Sequence, residues 1–263
     1  MRNSTMQLSK SLAIETYGDT DVGRVRSANQ DAFLCLPEEG TFIVADGMGG
    51  HAGGEVASML CILAIQTFMQ SAEAPLASRD GCGHPCQPVM QALSDAVNHA
   101  ALRIYERACE QPLLKGMGTT ATMLKIVDDY GYFAHVGDSR LYLLRRGALQ
   151  QLTTDHSWVN EQMSAGLLSR EEAASHPYRN IITRSVGCRA AVEVETGCIE
   201  LCDDDCLLLC SDGLHGSVSN SEIARLLIDG GTYSVRPLID LANDRGGEDN
   251  ITVVVVKAHV SEF

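Results

Sequence analysis

From Leu12 onward the chain is built of short apolar runs broken by glycine and aspartate. Leu12-Ala13-Ile14-Glu15-Thr16-Tyr17 reads as a strand closed by the turn signal Gly18-Asp19. Further strands are expected over 32–36, 41–45, 119–127, 132–136, 140–144, 192–201, 206–210 and 251–257, several of them joined by tight turns. Two segments between the early and middle strands carry a helical signal instead. Residues 55–70 are almost wholly apolar, and in 89–110 Leu93, Val97, Ala100, Ile104 and Ala108 recur at helical spacing and define one buried stripe. Strands that follow one another after a helical pair, without alternating strand–helix–strand units, predict an α+β chain. Its sheets should be antiparallel with helices on their outer faces, which excludes a doubly wound nucleotide fold.

The polar segment 1–10 is expected to fray, and 11–259 to form one domain. Residues 71–88 hold Pro75, Gly81, Gly83, Pro85 and Pro88 and read as an irregular surface loop. Cys82, His84 and Cys86 lie in that loop, but a tetrahedral zinc site needs four ligands and no second pair stands at suitable spacing, so a plain loop is expected. Residues 155–185 are polar, contain Pro177 and short helical pieces such as 169–175, and read as a flap over one side of the molecule.

Net charge is −14, which argues against nucleic acid or an anionic membrane surface as partner, since both need a basic footprint. Met1 to Tyr17 lacks the apolar stretch of a signal peptide, and no run approaches the ~20 apolar residues of a membrane span. The expectation is therefore a cytoplasmic chain whose ten cysteines are reduced thiols. Cys198, Cys202, Cys206 and Cys210 recur at every fourth position, a pattern that burial of a small hydrophobe explains more simply than metal does.

Candidate chemistry lies with the aspartates. Phe42-Ile43-Val44-Ala45 runs into Asp46-Gly47, Ala134-His135-Val136-Gly137 into Asp138-Ser139, and Leu207-Leu208-Leu209-Cys210-Ser211 into Asp212-Gly213. Asp249 precedes the last strand and Asp31 opens an early one. A single Asp-Gly is usually a turn, but the same device at successive strand ends is harder to dismiss. Carboxylates brought together in this way repel one another unless cations neutralise them, and oxygen-only ligands select hard ions such as Mg²⁺ or Mn²⁺.

The segments Arg26-Ser27-Ala28-Asn29-Gln30-Asp31, Asp46-Gly47-Met48-Gly49-Gly50-His51, Gly116-Met117-Gly118-Thr119-Thr120, Val136-Gly137-Asp138-Ser139-Arg140, Ser211-Asp212-Gly213 and Gly247-Glu248-Asp249-Asn250 resemble, in order, the motifs of the metal-dependent protein phosphatases of type 2C. The short form with Asp-Gly-Met-Gly-Gly-His is similar to stand-alone bacterial members. The resemblance implies a four-layer αββα sandwich with a two-metal centre at one edge of two central antiparallel sheets. It implies that Asp46 bridges both ions, that the Gly47 carbonyl binds one, and that Asp212 and Asp249 bind the other. Asp138 would help hold a third, weaker ion near the flap, and Asp31 would orient coordinated water. Arg26 matches the arginine that contacts phosphate, through a planar fork suited to two oxygens at once. His51 is the candidate proton donor to the leaving alkoxide, with capping or packing of the following helix as its alternative. Gln30 stands where many members have glutamate.

The implied activity is hydrolysis of phosphoserine and phosphothreonine on proteins by an activated water, with Mg²⁺ or Mn²⁺ as cofactor and no phosphoenzyme. Phosphoprotein substrates, a cognate bacterial serine/threonine kinase to oppose and a monomeric state are expected with it. Two rivals are a pseudophosphatase that only binds phosphoproteins and a small-molecule phosphohydrolase. The first should have lost aspartates, which are all present, and the second should show an enclosing apolar pocket, for which Trp158 as the single tryptophan gives little support.

Overall fold

The computed structural model describes residues 12–50, 53–71 and 87–260. The segment 1–10, most of the loop 71–88 with Cys82, His84 and Cys86, and His51 lie outside the described residues. Two antiparallel sheets pack face to face. One has the order β1 (Leu12–Asp21), β11 (Ile251–Val260), β10 (Cys206–Cys210), β7 (Arg140–Arg145), β8 (Ala148–Gln151). The other runs β2 (Asp31–Leu36), β3 (Thr41–Met48), β5 (Ala121–Val127), β6 (Tyr130–Val136), β9 (Glu195–Glu200), with the two-residue β4 (Gly118–Thr119) added to the end of β3.

Successive side chains on a strand point to opposite faces, and here both faces are covered. Val254 and Val256 of β11 meet Leu207 and Leu209 of β10, Leu141 of β7 and Phe42 and Val44 of β3 in the layer between the sheets. Val253 and Val255 point the other way, onto Ile223, Leu227, Leu238 and Ile239 from α6 (Asn220–Gly230) and α7 (Val235–Asp244). Ile43, Met123 and Tyr132 leave the opposite face of the second sheet and meet α1 (Gly53–Ser71) and α2 (Gln87–Glu110). This double burial is why several strands read as continuous apolar runs rather than alternating ones. The predicted stripe on α2 is buried at Leu93, Val97, Ala100 and Ile104, with Ala108 packed at its margin. The αββα sandwich is the architecture that the motifs implied.

Several local readings need correction. Gly18-Asp19 is not a turn, because β1 runs on to Asp21 with Gly18 paired to Val254. A Cβ on Gly18 would stand 2.9 Å from Phe33 and 3.0 Å from the Cys35 sulfur, so the glycine is there to let the facing sheet approach. The helices α6 and α7 were not anticipated, although Ser219-x-x-Glu222 is a helix-start signature and the Glu222 carboxylate accepts the Ser219 N–H at 3.1 Å. The same device at Ser169 and Glu172 opens α4 (Arg170–Ser175), which follows α3 (Trp158–Ser164) in the segment read as a flap. Of the cysteines spaced by four, Cys206 and Cys210 are buried and Cys198 half-buried, but Cys202 is exposed beside the Asp203-Asp204-Asp205 turn, so burial does not account for all of them. The eight described cysteines form no disulfide with one another. Among the described residues no helix is long and apolar enough to cross a membrane.

Candidate metal centre

Strand register brings the aspartates to one edge of the sandwich. Asp31 and Asp46 face each other directly across β2 and β3. Cys210 at the end of β10 pairs on one side with Arg140 and on the other with Val253, which sets Asp212 beside Asp138 and Asp249. The two sheets are tied here through Asp31, whose Oδ2 accepts hydrogen bonds from Ser211 Oγ and Thr252 Oγ1, both at 2.7 Å. Asp212 then opens the single-turn α5 (Asp212–His215).

Asp46 is not beyond its strand as expected, because β3 continues through Asp46-Gly47 to pair Gly47 with Thr119. That extension fixes its backbone: Asp46 N–H donates to Thr120 Oγ1 at 2.9 Å, and its carbonyl accepts from Thr120 N and Thr119 Oγ1, each at 2.8 Å. Gly47 is packed without space for a side chain, since a Cβ would stand 2.1 Å from the Gly54 carbonyl oxygen and 2.5 Å from that of Gln30. Asn250 clamps the loop that carries Arg26, donating to the carbonyls of Val22 at 2.9 Å and Ala28 at 3.0 Å while accepting the Gln30 N–H at 2.8 Å. Arg26 itself is about half exposed and places Nη2 2.6 Å from Asp249 Oδ2.

Burial and mutual repulsion raise the acids of this cluster. Asp46 is pushed well above the usual carboxylate range, first by burial and then by Asp31, Asp212, Asp138 and Asp249. Burial, with Asp212 and Asp249 nearby, lifts Asp31 to about 7 against the pull of its two hydroxyl donors. Burial followed by Asp212 and Asp155 lifts Asp138 to about 7, and burial with Asp249 raises Asp212. Buried polar atoms in folded proteins nearly always have partners. Here Asp31 Oδ1, Asp138 Oδ1 and Asp212 Oδ1 are buried with no hydrogen-bond partner among the described residues. Crowded anionic oxygens with unused lone pairs and a glycine carbonyl beside them form a donor set that fits hard divalent cations.

A second cluster has the composition of a metal site but different chemistry. His135, His156 and Glu195 bring one ligand atom each to within 4.8 Å of one another. His135 Nε2 lies 3.0 Å from Gly137 O and 3.2 Å from Thr154 O, so it carries the proton, and Nδ1 then accepts from Thr122 Oγ1 at 2.9 Å. His156 Nδ1 accepts the Gly137 N–H at 3.1 Å, while the His156 N–H donates to Gly137 O at 2.7 Å. Burial, then His156, brings His135 down to about 3, and burial, then Arg184, brings His156 down to about 4. Both rings are neutral at pH 7, and the 3.7 Å approach of His156 to Glu195 is not an ion pair there. The His156 lone pair holds the Asp138 loop and the His135 lone pair holds Thr122, so neither is left for an ion.

Sequence reasoning missed these supports. Neither His156 nor the pair of Arg140 and Asp155, bonded three times at 2.9, 3.1 and 2.6 Å, was singled out. His215, whose Nε2 donates to the Asp138 carbonyl at 2.9 Å, was missed as well. The signal present was proximity to the motifs: Arg140 and Asn250 close two of them, and Ser211 opens a third.

Residues 23–249 match the model of the family described as protein phosphatase 2C. The chain belongs to the protein phosphatase 2C family. It is similar to the serine/threonine phosphatase stp of Listeria monocytogenes, 37% identical over 248 residues that cover 92% of this chain and 95% of that one. The Streptococcus agalactiae serine/threonine phosphatase superposes with a TM-score of 0.84 at 39% identity, covering 94% of this chain and 100% of the other. The catalytic domain of the serine/threonine phosphatase PstP, solved with two manganese ions, superposes at 0.82 with 34% identity over 95% of this chain and 100% of the other. This member of the 2C family is a metal-dependent serine/threonine protein phosphatase, a hydrolase of phosphoric monoesters that works with Mg²⁺ or Mn²⁺.

Proposed function

We propose that residues 11–259 act as one catalytic domain, with 71–88 as a surface loop and 155–185 as a flap, and that this domain removes phosphate from phosphoserine and phosphothreonine of cytoplasmic phosphoproteins. In this reading Asp46, the Gly47 carbonyl, Asp212 and Asp249 would hold two cations, and Asp138 would help hold a third near the flap. Bound there, Mg²⁺ or Mn²⁺ would neutralise the carboxylates and lower the pKa of a water for in-line attack on phosphorus. Asp31, held by Ser211 and Thr252, orients that water through its free Oδ1. Arg26 keeps one guanidinium nitrogen on Asp249 and turns its remaining donors to the phosphate oxygens. His51 supplies the proton to the leaving alkoxide, or else caps the helix that follows it.

The observation that carries this reading is the set of buried carboxylate oxygens with no partner, since an acidic cluster serving stability would have satisfied them. The opposing partner is a serine/threonine kinase of the same cell, and the working form is a monomer. A phosphothreonine peptide assay with Mg²⁺ and Mn²⁺ titrated into chelator-treated protein tests enzyme class, cofactor and substrate class together. Hydrolysis should rise from zero with added cation and outpace hydrolysis of free nucleotides. Faster nucleotide turnover would instead favour a small-molecule phosphohydrolase.

A further inference from the structure

A cavity of about 640 Å³ opens between the flap and the sandwich edge and reaches Asp138 and Asp212. Its floor is partly apolar, with Val159, Met163, Ala173 and Ala174. Among its described lining residues the remaining carboxylate is Asp155, which Arg140 already neutralises through three hydrogen bonds and which also accepts from Gln151 Nε2 at 2.7 Å. His215 is turned to the loop behind the cavity, its Nε2 donating to the Asp138 carbonyl at 2.9 Å. Two further cations line the same space, Arg170 at the start of α4 and Arg179 after it. Both are exposed, and neither side chain has a hydrogen-bond or ion-pair partner among the described residues.

Unpaired guanidinium groups on the wall of a cavity are unusual in a chain of net charge −14, where acidic partners are abundant. Arg170 gains nothing from its helix, because a cation in the first turn faces the positive end of the peptide dipoles. With Asp138 and Asp212 committed to cations, the charge left on this wall is positive and displayed next to the reacting phosphate. The geometry points to a subsite for an anionic side chain flanking the phosphoresidue, either a carboxylate or a second phosphoryl group, gripped by Arg170 and Arg179. The inference rests on the phosphatase reading and adds the charge of the substrate sequence to it. A planar guanidinium fork suits both anions, and two of them on one wall select against basic flanks as well as for acidic ones.

The test compares Mn²⁺-loaded protein on phosphothreonine peptides of equal length whose flanking positions carry alanine, glutamate, a second phosphothreonine or lysine. The wild type should show kcat/KM about fivefold to tenfold higher on the glutamate or doubly phosphorylated peptide than on the alanine one at low ionic strength, a range typical of two partly exposed charge pairs. The gain should sit in KM, since these arginines would grip the flanking side chain and not the phosphoryl group being transferred. In Arg170→Gln/Arg179→Gln the ratio should fall to near one, and taking the ratio within each variant cancels any difference in folded fraction. An advantage confined to the second phosphate and lost in the double variant assigns the subsite to phosphate, whereas one shared with glutamate assigns it to anions generally. Equal rates on all peptides, or an advantage that survives the double substitution, would overturn this inference while leaving the phosphatase reading intact. Failure to hydrolyse any phosphopeptide would overturn both.

Discussion

Two clusters of metal-ligating residues lie close together in this molecule, and they differ in what their lone pairs are doing. The aspartates at the sandwich edge leave three buried oxygens without partners and push one another's protons on. In the pair His135 and His156, the acceptor nitrogens take up a threonine hydroxyl and the Gly137 N–H. Composition alone rates both as metal sites. Hydrogen-bond accounting separates them, because a group already satisfied by the protein must break a bond to take an ion, whereas an orphaned anion gains by it.

The largest expected effect comes from removing one carboxylate oxygen from the aspartate cluster. Asp212→Asn or Asp46→Asn should lower kcat by on the order of 10³-fold or more, the scale seen when a transition-state charge partner is lost. The same change should leave the metal-free protein as stable as before or more so, because it relieves buried like charges. Unfolding of the Asn variants would point instead to a structural role for the cluster. On the other side of the comparison, His156→Leu strands the Gly137 N–H and should cost about 1–3 kcal/mol in chemical denaturation without changing the number of tightly held cations.

The two clusters should also show opposite pH dependence. For Asp31 and Asp138 the folded pKa is raised from 3.8 to about 7, so the folded protein binds more protons across that window and metal-free stability falls as pH rises through it. For His135 and His156 the folded pKa is lowered from 6.5 to about 3 and about 4, so their contribution is lost as pH falls below 6.5. Saturating Mn²⁺ removes the first dependence and leaves the second. The gain in melting temperature on adding Mn²⁺ should therefore be larger at pH 8 than at pH 5, and a pH-independent gain would break the comparison. The smallest effect is expected at Cys202, whose exposure predicts that Cys202→Ser changes stability by no more than about 0.5 kcal/mol.

Most of the fold was legible because double burial writes itself into sequence as apolar strands, and the long stripe on α2 has a single unambiguous period. The aspartates were legible for a different reason: they recur at strand ends, which only a shared edge explains. What escaped reading was set by contacts distant in sequence. Gly18 looks like a turn until Phe33 and Cys35 of the facing sheet are placed against it. α6 and α7 are short, 11 and 10 residues against 24 for α2, so each repeats its apolar period over fewer turns, and the capping signature at Ser219 and Glu222 was overlooked. His156 acts through the backbone of Gly137, nineteen residues away, and nothing local to it announces that role.

The central claim is that the unpartnered carboxylate oxygens, and not the histidines beside them, hold the catalytic cations. Calorimetric titration of Mn²⁺ into chelator-treated protein measures this directly. Wild type and His156→Leu should each bind two ions tightly, and Asp46→Asn should lose both, since Asp46 is the residue proposed to hold the pair. Equal binding by Asp46→Asn and wild type, or loss of the two tight ions in folded His156→Leu, would contradict the account.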